Sequence, residues 1–129
     1  KECNFPFVRL TAPTTSNERL TTVLQNATGF IYYVSITGIT GTKDVPIELV
    51  THAVKNLKEH SKLPIAVGLG IKTREHVEQV TRIADAAIVG SEVVNAIANS
   101  LDADGKAKPE TIQTTLSLVR DLAAGVRGK

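Results

Sequence analysis

Four short runs of strand-forming residues alternate with stretches of helical periodicity. This alternation constrains the fold more than any other feature of the sequence. The runs are FPFVRL at 5–10, FIYYVS at 30–35, PIAV at 64–67 and AAIV at 86–89. Pro6 belongs at the start of the first strand, where a missing N–H does least harm. Thr15 and Glu18 match a Thr-x-x-Glu capping box, and Leu20, Val23, Leu24 and Ala27 follow at helical spacing. Gly29 is placed to end that helix. Ile47, Val50, Val54 and Leu57 mark one face of a second helix, which has Pro46 in its first turn and ends near His60. A third helix starts near Thr73 and carries Val77 and Val80. Ser91 caps a short fourth helix running to Ala98. A polar linker over 102–109 leads to a last helix, 109–124, expected to turn Ile112, Leu116, Val119 and Leu122 inward.

Strands separated by helices make a parallel sheet with right-handed crossovers. Two architectures satisfy this order: an open doubly wound sheet, or part of a (βα)8 barrel. A complete barrel takes about 250 residues. Four units in 129 residues amount to half of one.

Composition narrows what the chain can bind. Fifteen basic and 13 acidic residues leave a net charge of only +2, and aromatics make up 4%. Neither an electrostatic footprint for nucleic acid nor a base-stacking surface is expected. No apolar run approaches the roughly 18 residues of a membrane span. Cys3 is the only cysteine, so no internal disulfide can form, which fits a cytoplasmic protein. No methionine occurs and Lys1 comes first, so the chain is expected to be a piece of a longer protein.

The glycines stand where strands hand over to helices. Gly68 and Gly70 flank Leu69 after the third strand, and Gly90-Ser91 follows the fourth. At such a junction the first N–H groups of a helix lack partners, and the helix dipole favours an anion. Glycine lets the anion approach the backbone. Two such turns on adjacent strands, followed by a short extra helix, match the phosphate site of many (βα)8 barrels. The G-x-G-x-x-G fingerprint fails at Thr73 and no Walker A sequence is present, so a nucleotide is not implied.

Other polar residues read as ordinary. His52, His60 and His76 fall on predicted helices, without metal-ligand spacing, and are expected at the surface. Glu48, Glu59, Glu75 and Glu78 read as solvated helix positions. Asp85 precedes the fourth strand, at the end of a barrel that serves stability. Tyr32 and Tyr33 alternate on one strand, one toward a barrel interior and one toward the helices.

APTTSNERL, GFIYYVSITGITGTK, PIAVGLGIKT and ADAAIVGSEVV, in this order, resemble the alpha subunit of tryptophan synthase over essentially the whole chain. The resemblance implies an α/β fold, a (βα)8 TIM barrel of which 1–129 is the C-terminal half of one domain. It implies a lyase that cleaves indole-3-glycerol phosphate to indole and glyceraldehyde 3-phosphate and passes indole to a beta subunit. Gly68, Leu69, Gly70, Gly90 and Ser91 would hold the phosphate, and Tyr32 would lie near the indole. The loop 36–43, with Thr40 and Gly41, would be a lid. Leu69 departs from the phenylalanine common in the family. No cofactor and no metal are expected. The family's acid–base pair, a glutamate and an aspartate, belongs to the first half of the barrel. The isolated chain is therefore expected to be inactive, and its open sheet is expected either to associate with another copy or to be covered by the rest of a longer chain. Two alternatives stand beside this reading: another phosphate-binding barrel enzyme, or a non-catalytic anion-binding module on an open flavodoxin-like sheet.

Overall fold

The computed structural model describes residues 5–35, 46–68 and 70–127. Cys3, Leu69 and the loop holding Thr40 and Gly41 lie outside the described residues. The elements are β1 (Arg9–Thr11), α1 (Asn17–Leu24), β2 (Ile31–Val34), α2 (Ile47–His60), β3 (Ile65–Gly68), α3 (Arg74–Thr81), β4 (Ala86–Ile88), α4 (Ser91–Ser100) and α5 (Thr111–Arg127). The four strands form one sheet in the order β1-β2-β3-β4, every pair parallel. Sequential parallel neighbours follow from helical crossovers of one hand.

Strand alternation gives the sheet two different faces. Ile31, Tyr33, Ile65 and Val67 turn toward the helices and are buried with Leu20, Val50, Val54, Leu57, Val77 and Val80. Leu10, Tyr32, Val34, Ala66, Gly68 and Ile88 share the opposite face, by the register that pairs Leu10 with Tyr32, Tyr32 with Ala66, and Gly68 with both Val34 and Ile88. Leu10 is 61% exposed there. No helix among the described residues is long and apolar enough to cross a membrane.

Several local expectations give way to the structure. The first strand begins at Arg9 rather than Phe5, because Phe7 pairs with Thr28 instead of β2. The Phe7 N–H donates to Thr28 Oγ1 (2.6 Å), and the Thr28 N–H donates to Phe7 O (3.0 Å). The Thr15–Glu18 capping box does not form. Thr15 Oγ1 instead accepts from the Ala12 N–H (3.1 Å), closing the turn before the helix, and Ser16 takes the N-cap position. α1 ends at Leu24, five residues before Gly29, and Asn26 adopts the left-handed conformation (φ 61°) that turns the chain. Asparagine tolerates that conformation better than most residues. Gly90, not Ser91, is the N-cap of α4.

The largest departure concerns α5. Leu122 is buried (6% exposed), but Ile112, Leu116 and Val119 are 71%, 50% and 43% exposed. The helix packs on α3 and α4 through a different stripe, in which Leu118 is half-buried against the core. Helical spacing shows that residues share a face, not that something covers it.

Asp85 occupies the structural position expected of it. Its Oδ2 accepts the Ile65 N–H (2.9 Å), the Asp85 N–H donates to Ile65 O (2.9 Å), and Lys58 Nζ stands 3.8 Å away. The lysine and aspartate side chains are about half exposed, so the ion pair contributes little. Asp85→Ala is expected to lower stability by about 1 kcal/mol through the lost hydrogen bond. Lys58→Ala should cost less than about 0.5 kcal/mol. Urea midpoints check both, and a larger loss for the lysine variant would contradict this ranking.

Candidate functional site

The carboxyl ends of β2, β3 and β4 meet the starts of α3 and α4 around one cavity. Tyr32, Gly70, Ile71, Lys72, Ile88, Gly90 and Ser91 line it, and it encloses about 120 Å³. Four residues expected from the sequence, Tyr32, Gly70, Gly90 and Ser91, are thus brought together. Gly68 stands next to them, beneath the Tyr32 ring. Leu69, Thr40 and Gly41 lie outside the described residues.

Each wall has a local cause. Gly70 takes a left-handed conformation (φ 75°), which reverses the chain after β3 at no steric cost. Ile71 then drops its side chain into the core (4% exposed). Thr73 caps α3, its Oγ1 accepting the His76 N–H (3.2 Å). On the other wall, Gly90 O accepts the Val93 and Val94 N–H groups (3.0 and 3.2 Å). The amides of the first turn of α4 precede those bonds and have no intrahelical acceptor. A Cβ built on Gly90 meets nothing within 4 Å, so this wall opens onto free space rather than packing.

Tyr32 and Gly68 are diagonal neighbours on the inner face. A Cβ on Gly68 would collide with the Tyr32 hydroxyl and stand 2.8 Å from Cε1 and Cζ. The glycine therefore makes room for the ring. Ser35 holds the same point from β2: its N–H and its Oγ both donate to Gly68 O (3.0 and 2.8 Å).

Lys72 was missed by sequence reading, although a lysine two residues beyond a glycine turn is a visible signal. It adds a cation to the cavity wall, which suits an anion. His76 lies at the half-exposed surface, as expected, and its Nδ1 accepts the Lys72 N–H there (3.3 Å). Burial raises the pKa of Tyr33, which faces a second cavity of about 220 Å³ between β2 and α2. That cavity is lined largely by apolar residues, among them Pro13, Pro46, Leu49 and Val50.

The helix starts carry acidic groups of a different kind. Glu75, in the first turn of α3, is held below the ordinary carboxylate value of 4.5 by its own backbone N–H and then by Thr73. Glu110, just before α5, is lowered likewise by its own backbone N–H and then by Lys108. A lowered carboxylate contributes stability above its unfolded pKa and loses that contribution as pH falls through the folded value. The first-turn amides of α3 and α5 are expected to lose protection, measured against their intrinsic exchange rates, as pH falls below 4.5. Hydrogen exchange measured against pH checks this, and first turns indifferent to that range would contradict it.

A parallel βα sheet with a cavity at the carboxyl ends of its strands defines an α/β protein of the kind that commonly binds ligands there. The family model for the tryptophan synthase alpha chain matches residues 1–126, and the chain belongs to that family. Solved structures agree. The alpha subunit from Legionella pneumophila is similar at 31% identity and a TM-score of 0.75, covering 95% of this chain and 42% of its own. The subunit from Campylobacter jejuni is similar at 29% identity and 0.74, covering 92% and 44%. Tryptophan synthase from Mycobacterium tuberculosis is similar at 32% identity and 0.71, covering 93% and 41%. The chain therefore spans less than half the length of these relatives, and its four βα units have the fold of half a (βα)8 barrel. The family match removes the flavodoxin-like sheet and the unrelated barrel enzymes.

Proposed function

We propose that this chain supplies the phosphate-holding half of an enzyme that cleaves indole-3-glycerol phosphate to indole and glyceraldehyde 3-phosphate. The observation that carries this reading is the convergence of Tyr32, Gly70, Gly90, Ser91 and Lys72 on one cavity at the carboxyl ends of the strands. The first turn of α4 and the Ser91 hydroxyl donate to the phosphate, and Lys72 supplies opposite charge. Gly68 continues that wall, and Leu69 is assigned to the same phosphate by the family resemblance alone. Tyr32 borders the phosphate and faces the indole. Thr40 and Gly41 are assigned to substrate binding by the family resemblance alone.

The bond to be broken joins indole C3 to the glycerol chain. A general acid protonates C3 while a base removes the proton of the adjacent glycerol hydroxyl. The bond's electrons pass to the ring carbon, and the hydroxyl carbon becomes the aldehyde. The acid and base are the glutamate and aspartate of the preceding half-barrel, so the 129-residue chain binds the phosphate without turnover. The beta subunit is the partner that receives indole, the cytoplasm is the compartment, and the open sheet face drives self-association of the isolated chain.

Titration with glycerol 3-phosphate, followed by amide shifts at Gly70 and Ser91, tests the cradle. Saturable shifts confined to the cavity are expected. Gly90→Ala should leave the unfolding midpoint nearly unchanged, because its Cβ meets open space, yet weaken binding about tenfold by filling the approach. Tightness equal to wild type would sink the assignment of Gly90. An indole-release assay should detect no turnover. If indole-3-glycerol phosphate binds no better than inorganic phosphate, a plain anion-binding module is the better description.

A further inference from the structure

We propose that His76 is a positioning residue of the anion site, holding the turn 70–72 through the backbone N–H of Lys72; this rests on the phosphate reading above. Three residues of that turn, Gly70, Ile71 and Lys72, line the cavity, whereas His76 does not. The turn is fixed at two points. Ile71 is sunk in the core, and the Lys72 N–H donates to His76 Nδ1 (3.3 Å). The His76 N–H in turn donates to Thr73 Oγ1 (3.2 Å). The two bonds are reciprocal, as in a capping box, but an imidazole replaces the usual carboxylate or amide and reaches one residue further back. A ring that accepts at Nδ1 is neutral, with its proton on Nε2.

The bond matters because Gly70 has no side chain to restrain it and adopts φ 75°. Without His76, the Lys72 N–H would turn to water and the turn would regain the freedom that glycine allows. Anion binding would then have to order the turn, which lowers affinity without removing any contact to the ligand.

The test compares His76→Ala and His76→Gln with wild type, near neutral pH, by amide-shift titration with inorganic phosphate and by thermal unfolding. His76→Ala should bind about fivefold more weakly. His76→Gln, whose Oε1 can accept the same N–H, should bind like wild type. Unchanged affinity in His76→Ala, or equal weakness in both variants, would overturn the role while leaving the phosphate reading intact. Absence of saturable binding by wild type would overturn both. If His76→Ala does not fold, ring-nitrogen shifts of the wild type decide: a proton on Nδ1 contradicts the proposal, and a proton on Nε2 with Nδ1 accepting supports it.

Discussion

Gly68→Ala should lower stability and phosphate affinity together. The new Cβ would lie 2.8 Å from two ring atoms of Tyr32, and closer still to its hydroxyl. Such an overlap cannot persist. The obstacle is a side chain on a short strand, so the ring must swing away from the inner face. Overpacking of this kind costs about 1–3 kcal/mol. The displaced phenol also moves where it borders the anion cavity, so phosphate affinity should fall along with stability. Tyr32→Ala removes the obstacle, and the double variant should be less destabilised than the two single changes added together. Urea unfolding of all four proteins measures this coupling. Strict additivity would show that the ring has room the structure does not give it.

Gly125→Ala should lower stability by about 2 kcal/mol, although alanine is the better helix former by about 1 kcal/mol. Here the obstacle is backbone. A Cβ on Gly125 would sit 2.6 Å from Arg74 O and 3.2 Å from both Glu78 N and Val77 Cβ. A flexible side chain could bend aside, but a carbonyl inside a helix cannot. α5 would have to lift from α3 at the turn that follows the Thr73 cap. Thermal unfolding reads the loss, and phosphate titration reads whether the disturbance reaches the cavity. A midpoint at or above that of wild type would refute the close approach of the two helices.

The parallel order of strands and helices was legible because each signal was local. The β-forming runs at 30–35 and 64–67 and the stripe Ile47, Val50, Val54, Leu57 describe short segments whose burial the structure repeats. The glycine turn after β3 and the start of α3 near Thr73 were legible for the same reason. What escaped depends on which of several partners wins a hydrogen bond or covers a face. The Thr15 hydroxyl was taken by Ala12 rather than by the helix, and Phe7 was drawn to Thr28. The face of α5 holding Ile112 and Leu116 needs a neighbour that helical spacing cannot supply. At the site, Gly68 and Gly70 stand where few other residues fit, whereas Gly90 has room for a Cβ. Lys72 and His76 look like any exposed helix-start residues until a fold places one beside a cavity and the other at its amide.

The alternation along β2 also gives the molecule a built-in spectroscope. The sequence has no tryptophan and just two tyrosines, which stand side by side on that strand and look in opposite directions. Tyr32 borders the cavity, while Tyr33 is sunk among the helices with its phenol made harder to ionise. All tyrosine emission from the unlabelled chain thus comes from one phenol beside the candidate cavity and one in the interior. Quenching that follows added anion reports the first, and late ionisation in an alkaline titration reports the second. Occupancy and integrity can be followed in one cuvette.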